Sequence, residues 1–279
     1  MFKKFPKVLA HSSALKNNHF ITEEYILTKT NKEIKAFNRE CPHRLYPIGE
    51  KCGPSKKIIC KFHGFEFDSN GMPLNNDKKL RPKNISFGNS GLIFQDFVEP
   101  NTSWISDLSK EKNLQYSHSY FGESKGSYLW QMDAEADMLH VRKDGIHPWL
   151  SKQVNSKYVA LSDDKDWILQ THPDGWWLYI FPLTFIEWSP KCLSINLMTP
   201  NKYDSQWGFS WMTQMYFDPT LSKREKNHFD KVEMVWKEDI ATIEKIKHDY
   251  FPNKNKTNSL EEHCIVFGEW VINNKQVLN

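Results

Sequence analysis

The sequence predicts an α+β protein with two domains, an all-β domain over residues 1–105 and a second domain over residues 106–279. Short alternating segments separated by turn residues fill the first part of the chain, which is typical of β-strands. Residues 157–217 show the alternation of antiparallel strands, and residues 222–250 follow with the spacing of a long helix. A chain of 279 residues is long enough for two modest domains, each with its own core.

The composition is that of a globular protein, and we expect it in the cytoplasm. Hydrophobic residues make up 39% of the chain and charged residues 25%, and the net charge of +3 is too small to indicate nucleic-acid binding. We expect no membrane span, because no segment approaches the roughly 20 apolar residues that cross a bilayer. The basic N-terminus lacks the apolar run of a signal peptide. Five cysteines do not indicate a disulfide framework, which favours a reducing compartment.

Within the first domain, residues 25–30 and 33–37 predict a hairpin that leads into a cysteine-containing loop. Residues 58–59 lead into a second such loop, and residues 65–67 alternate out of it. Residues 91–97 predict a closing strand. The domain is therefore expected to be all-β, with the two loops at one tip.

The two loops contain paired ligand residues, Cys41-x-His43 and Cys60-x-x-His63, in a C-x-H-x16-C-x-x-H pattern. One interpretation is a zinc site, because Zn²⁺ accepts both thiolate and imidazole. The other is a Rieske [2Fe–2S] cluster, in which two thiolates hold one iron and two imidazoles hold the other. Each loop supplies one Cys and one His, so each iron can be held from both loops. A Cys2His2 zinc finger would pair its two cysteines instead, so the pattern favours the cluster.

The flanking sequences Cys-Pro-His-Arg and Phe-His-Gly-Phe-Glu-Phe-Asp resemble the two cluster loops of Rieske oxygenases. Rieske proteins of respiratory and photosynthetic complexes carry an additional cysteine in each loop, and the two form a disulfide. Here Lys61 and Phe62 lie between the second pair of ligands, and Cys52 has no partner in the second loop. The resemblance therefore implies the low-potential, oxygenase type of [2Fe–2S] cluster.

The order of elements in the second domain also resembles the helix-grip catalytic domain of Rieske oxygenases. A helix is predicted over residues 128–140, before the antiparallel sheet and the long helix. The aromatic residues of the sheet are expected mainly in the core, with a substrate pocket as the alternative. They are Trp176, Trp177, Phe185, Trp188, Trp207 and Trp211.

A second metal site is suggested by Asp137-x-x-His140 and by His147, which follows after six further residues. Rieske oxygenases carry D-x-x-H-x4-H at this point, and both histidines bind a mononuclear iron. On an unbroken helix His140 and His147 would lie about 10 Å apart along the axis, too far for one metal. We therefore expect the helix to break between them, at Gly145 and Pro148. The alternative is that His147 is an ordinary loop histidine.

Asp239 is the candidate for the third iron ligand. It is the charged member of a stripe at helical spacing with Val232, Trp236 and Ile243, and a carboxylate on a buried stripe is costly unless it is paired or bound to a metal. Glu238 lies about 100° away, off the stripe. The Glu-Asp pair resembles the one in the C-terminal helix of Rieske oxygenases, whose Asp binds the iron. The alternative is a capping or salt-bridged aspartate.

The resemblance gives Asp137 a different role. In the family this Asp bridges a histidine of the mononuclear site to a cluster histidine of the neighbouring subunit, so that electrons cross between chains. We therefore expect a homotrimer. Asp133 and Glu135 receive no role from the sequence.

Together, the resemblance implies a terminal oxygenase with a Rieske [2Fe–2S] cluster and a mononuclear Fe(II). A ferredoxin, a flavin reductase or both would supply electrons, and O2 would be used to hydroxylate or oxidatively demethylate a small organic substrate. One alternative is a non-enzymatic Rieske electron-transfer protein whose second domain binds a ligand or partner. Another is a structural zinc module.

Overall fold

A computed structural model describes the chain at residues 5–17, 19–31, 33–49, 52–95, 99, 103–137, 139–141, 145–152, 160–164, 167–172, 175–201, 208–246, 249–250 and 262–278. The chain forms two compact units. The N-terminal unit is Val8–Ser119, and the C-terminal unit is Tyr120–Asn279 together with Met1–Lys7. The domain boundary predicted at residue 105 lies inside the N-terminal unit. Among the described helices, none has the length and apolarity needed to cross a membrane.

The N-terminal unit is built from short strands in three sheets. The strands are β1 (Lys7–His11), β2 (His19–Ile21), β3 (Tyr25–Lys29), β4 (Ile34–Asn38), β5 (Gly53–Ser55), β6 (Ile58–Cys60), β7 (Phe65–Phe67), β8 (Pro82–Lys83), β9 (Ser86–Phe87) and β10 (Leu92–Gln95). The largest sheet has the order β5-β2-β3-β4-β8, a second has β1-β10-β9, and β6 pairs with β7. Helix α1 (Ser103–Lys110) follows.

The predicted hairpin and loop strands are present in this unit. β3 and β4 pair antiparallel, and β6 and β7 pair across the second cysteine-containing loop. The predicted closing strand is β10, and the rest of its predicted length, residues 96–97, lies outside the described residues. Ile26, Phe37 and Phe67 pack in one buried cluster with Cys41 and Cys60. The candidate ligand cysteines therefore belong to the core that holds the strands together.

The C-terminal unit contains one large antiparallel sheet, which confirms the predicted α+β class. Its strands are β11 (Gln115–Ser124), β12 (Ala160–Asp164), β13 (Trp167–His172), β14 (Gly175–Ile180), β15 (Thr184–Ser189), β16 (Cys192–Pro200) and β17 (Phe209–Phe217). The first five residues of β11 are counted with the N-terminal unit. Their order is β11-β17-β16-β15-β14-β13-β12. From β12 to β17 each strand pairs with the next along the chain, so the sheet is a meander that β11 extends at the β17 edge.

Helices cover one face of this sheet. They are α2 (Tyr128–Ala136), α3 (Lys223–Phe229), α4 (Val232–Ile243) and α5 (Glu262–Leu278). Met132 of α2, Trp236 of α4 and Phe267 of α5 share a buried cluster with Tyr179 and Trp211 of the sheet. The core of the unit therefore lies between this sheet face and three helices.

The helices differ from the predicted ones at three places. The helix predicted over residues 222–250 is divided into α3 and α4, and Asp230 at the break accepts a hydrogen bond from the Tyr120 hydroxyl at 3.1 Å. The helix predicted over residues 128–140 ends at Ala136, because Asp137 takes an extended backbone (φ −85°, ψ 107°). Helix α5 was not predicted from the sequence.

Candidate metal centres

The two cysteine-containing loops of the N-terminal unit have the same construction. The Leu45 N–H donates to the Cys41 carbonyl at 2.8 Å, and the Gly64 N–H donates to the Cys60 carbonyl at 2.8 Å. Both donors have left-handed backbone, with φ of 58° at Leu45 and 73° at Gly64. Such a residue reverses the chain within one turn. Each loop therefore presents its cysteine and histidine from a single tight turn.

The four candidate cluster ligands converge, with the cysteines inside and the histidines outside. Cys41 and Cys60 are each 1% exposed and pack in the same buried cluster. Burial raises the pKa of Cys41, and the Cys60 thiol adds to the rise. His43 and His63 are exposed, with ring centroids 4.7 Å apart. Two inner thiols and two outer imidazoles are a donor set that fits a Rieske [2Fe–2S] cluster.

Arg39 braces the first loop. Its guanidinium donates to the Ile48 carbonyl at 3.0 Å, to the Gly49 carbonyl at 2.9 Å and to the Cys52 sulfur at 3.4 Å. Burial raises the pKa of Cys52 to about 11. The sequence indicated no partner for Cys52 in the second loop. Cys52 is thus a neutral thiol, and it contacts the same Arg39 guanidinium that holds the first loop.

In the C-terminal unit, the predicted residues His140, His147 and Asp239 bring three donor atoms together. His140 Nε2 lies 3.1 Å from His147 Nε2, and His147 Nε2 lies 2.8 Å from Asp239 Oδ1. His140 Nε2 lies 3.6 Å from the same Asp239 oxygen. His147 and Asp239 are buried and His140 is partly buried. We refer to these three residues as the triad.

The separations within the triad suit one metal ion. Metal–donor bonds of about 2.1 Å that meet at right angles place neighbouring donor atoms about 3.0 Å apart. The triad has 2.8, 3.1 and 3.6 Å. Two imidazoles and one carboxylate on one face are also the donor set of non-haem Fe(II) oxygenases. The residues present therefore fit a mononuclear iron.

The two histidines of the triad come from turns instead of a helix. His140 lies in a short 3₁₀ turn, Leu139–Val141, that follows the end of α2. The chain bends at Gly145 and Ile146, and His147 precedes Pro148. The His147 carbonyl accepts the Ser151 N–H at 3.0 Å, so Pro148 opens the next turn. The helix therefore ends before His140, earlier than the predicted break between the two histidines.

Asp239 reaches the triad from α4. Its predicted stripe is present, since Trp236, Asp239 and Ile243 are the buried residues of this helix. Tyr250, the last residue of the predicted helix, lies beyond the end of α4. The spacing of three and four residues directs the Asp239 carboxylate to the same side as the apolar residues that anchor α4.

Two further carboxylates lie next to the outer nitrogens of the histidines. His147 Nδ1 is 2.8 Å from Glu238 Oε2, a hydrogen bond, and His140 Nδ1 is 3.8 Å from Asp137 Oδ2, too long for one. His140 Nδ1 is buried and has no hydrogen-bond partner among the described residues. Burial alone would lower the pKa of His147, but Asp239 and Glu238 raise it above its ordinary value.

A cavity of about 50 Å³ adjoins the triad. Its wall combines aromatic and acidic side chains, namely Trp149, Trp177, Phe185, Trp236, Glu135 and Glu187. Of the aromatic candidates from the sequence, Trp177 and Phe185 reach this cavity, Trp176 stacks on Trp188, and Trp211 stacks on Trp236. Trp207 lies outside the described residues.

Three acidic residues of this site were not predicted from the sequence. Glu238 was placed off the buried stripe, but its position next to Asp239 lets it reach the far nitrogen of His147. Glu135 received no role, and Glu187 was not considered. A signal for Glu187 was available, because it alternates with Phe185 on the inward side of a predicted strand, where a charged residue is unusual.

Residues 6–84 match the protein family described as Rieske [2Fe-2S] domain, which confirms the predicted Rieske domain. The chain has no significant match among curated proteins. Among solved structures, it is similar to the quaternary ammonium Rieske monooxygenase CntA in complex with L-carnitine, at 18% identity and a TM-score of 0.74, covering 99% of this chain and 89% of that chain. It is also similar to Pseudomonas putida CBB5 NdmA with caffeine, at 14% identity and a TM-score of 0.57, covering 98% and 90%. At these identities the likeness shows the fold.

Proposed function

Because the chain combines a Rieske [2Fe–2S] domain with the fold of Rieske monooxygenases, we propose that it is the terminal component of an O2-dependent oxygenase. The observation that carries the proposal is the triad, whose donor atoms lie 2.8–3.6 Å apart beside a cavity. A protein that only carried electrons would need no such site. The triad therefore disfavours the electron-transfer alternative.

In this proposal Cys41 and Cys60 hold one iron of the cluster, and His43 and His63 hold the other. The exposed histidines leave that iron nearest the surface, where a ferredoxin or flavin reductase would donate electrons. Arg44 and Lys61 next to the ligands are exposed, which suits an acidic electron donor.

His140, His147 and Asp239 would hold the mononuclear iron, which supplies O2 activation when bound. Glu238 accepts a hydrogen bond from His147 Nδ1–H, so the Nε2 lone pair of His147 is left for the metal. One turnover consumes O2, two electrons and two protons, inserts one oxygen atom into a substrate C–H bond and releases one water. Hydroxylation next to a heteroatom would lead to demethylation.

We further propose that electrons cross between subunits of a homotrimer through Asp137. Its carboxylate, 3.8 Å from His140 Nδ1, is the closest charged group to that unpartnered nitrogen among the described residues. The cluster loops also expose an apolar patch, in which Leu45 is 54% exposed, Tyr46 44% and Phe62 52%. Contact of this patch with the next subunit would be heterologous and would close into a ring.

The proposed function is tested by measuring the iron content of the chain and the incorporation of oxygen from labelled O2 into product. The anaerobically purified chain is expected to hold three irons, two in a cluster with a Rieske spectrum and one mononuclear. Asp239→Ala should retain the cluster spectrum but lose the third iron and all incorporation of ¹⁸O from ¹⁸O2 across a substrate panel. Glu233→Ala, at a partly exposed position on the same helix that is paired with Lys237, is the matched control. Two irons in the wild-type chain, or one zinc in a colourless protein, would contradict the proposal.

A further inference from the structure

The cavity beside the triad contains two carboxylates that holding iron does not require. Glu135 of α2 and Glu187 of β15 both line it. Among the described residues that line this cavity there is no lysine or arginine. Neither glutamate forms an ion pair with one elsewhere in the described chain. Two acidic groups therefore face a small space that no lysine or arginine lines, and the other ionisable residues of its wall are those of the triad.

The sheet register explains the chemistry of this wall. Glu187 lies directly opposite Trp177 on β14 and Ser194 on β16, and directly opposite residues share one face of a sheet. Phe185, two residues before Glu187, is on the same face. The Trp177 and Phe185 rings meet edge to face, with centroids 6.2 Å apart. The sheet thus presents aromatic surface on both sides of an acidic group.

A chain of hydrogen bonds is directed at Glu187. Thr213 Oγ1 donates to Asn196 Oδ1 at 2.7 Å, Asn196 Nδ2 donates to Ser194 Oγ at 3.3 Å, and Ser194 Oγ donates to Glu187 Oε2 at 2.7 Å. Thr213, Asn196 and Ser194 are buried. A carboxyl group that receives such donors is stabilised as the anion. This chain of hydrogen bonds directs dipoles at Glu187 but supplies no positive charge.

The pKa values of both glutamates are raised. Burial raises the pKa of Glu187, and the hydrogen bonds from Ser194 and Asn196 oppose the rise. Burial, followed by the negative charges of Asp239 and Glu187, raises the pKa of Glu135 well above its ordinary value. Gln131 opposes this by donating to Glu135 at 2.7 Å. A positive charge in the cavity would reverse the part of this rise that comes from neighbouring anions.

We infer that the cavity receives a cationic group of the substrate, an alkylated ammonium whose charge faces Glu135 and Glu187 and whose alkyl groups contact Trp177 and Phe185. Aromatic faces attract such cations through their quadrupole. The volume of about 50 Å³ holds roughly three to five water-sized groups, the size of a methylated ammonium head. The inference rests on the proposed function only in assigning this cation to the molecule that is oxidised.

Binding without turnover tests the inference. The iron-loaded protein is titrated by calorimetry under anaerobic conditions with choline and with its uncharged carbon isostere, 3,3-dimethylbutan-1-ol. We expect choline to bind roughly tenfold more tightly or better. Glu187→Gln and Glu135→Gln should each weaken choline binding by a similar factor and leave binding of the isostere unchanged. Glu233→Gln, on α4 but outside the lining of the cavity, is the matched control and should bind choline as the wild type does.

Equal affinity for the two compounds, or no saturable binding of choline, would overturn the inference, because one glutamate would then be a neutral acid. If a glutamate variant does not fold, the comparison of the two compounds on the wild type decides. The readout also separates this inference from the proposed function. A chain with two irons that still prefers choline would contradict the proposed oxygenase function but support the cation pocket. A chain with three irons and no preference for choline would support the oxygenase function but contradict the cation pocket.

Discussion

Glu238 provides a test of how the triad is held in place. In Glu238→Gln the side chain keeps its volume and one acceptor oxygen for His147 Nδ1, now 2.8 Å from Glu238 Oε2, but loses its charge. A hydrogen bond to a charged group contributes about 1.5–3 kcal/mol and a neutral one about 1 kcal/mol. Glu238 is 29% exposed, so solvent reduces the difference and the lower end applies.

The remaining loss of about 0.5 kcal/mol corresponds to an affinity for Fe(II) about twofold lower. Complete removal of the hydrogen-bond partner of a metal-binding histidine costs more, roughly 10–100-fold. Glu238→Ala, which removes the acceptor as well, is expected to lie toward the upper end of that range.

The assay is competition for Fe(II) against a chromogenic chelator under anaerobic conditions. The absorbance of the [2Fe–2S] cluster reports that the N-terminal unit is intact in every sample. Glu233→Gln controls for loss of one negative charge from α4, since Glu233 is ion-paired with Lys237 at 2.7 Å and lies outside the triad. Wild-type iron affinity in Glu238→Gln, or an equal loss in Glu233→Gln, would refute the reasoning.

Two further predictions concern Asp137 and His11. In Asp137→Asn both metal sites should fill, but the single-turnover product rate should fall roughly tenfold or more, a barrier increase of about 1.4 kcal/mol, and a wild-type rate would contradict the bridge. His11 is buried, and burial lowers its pKa from 6.5 to about 4 despite a hydrogen bond to Ser90. The unfolded chain therefore binds this proton at higher pH than the native one, so stability is lost as pH falls from about 6.5 toward 4, by about 2 kcal/mol at pH 5. Urea unfolding at pH 7 and pH 5 should show that much less pH dependence in His11→Gln than in the wild type, and an equal dependence would contradict it.

The cluster loops could be predicted from the sequence because their chemistry is local. Each tight turn carries both of its candidate ligands within four residues, so residue type and spacing define the loop without knowledge of the fold. The stripe of α4 was predictable for a similar reason, since a period of three and four residues identifies the buried side of any helix. Asp239 stood out because a charge on that side needs a partner.

The ends of the helices and the wall of the cavity could not be predicted in this way. The break between α3 and α4 involves Tyr120, which donates to Asp230 from a strand 110 positions earlier. The role of Glu187 depends on its register with Trp177 and Ser194, and a shift of one residue would have turned it to the other face. Helix α5 did carry a signal, because Cys264, Phe267 and Val271 are buried at spacings of three and four residues.

The six residues between His140 and His147 show how the spacing in the sequence and the arrangement of the elements together form the triad. A strict four-residue spacing would be required only if one continuous helix presented both histidines. Here α2 ends at Ala136, so each histidine lies in its own turn, and the donor separation of 3.1 Å is independent of the helical period. His147 is held by a third element, since Asp239 and Glu238 on α4 lie 2.8 Å from its two ring nitrogens. The number of residues between the histidines can therefore vary while the triad is retained, provided that α4 keeps its buried stripe against the sheet.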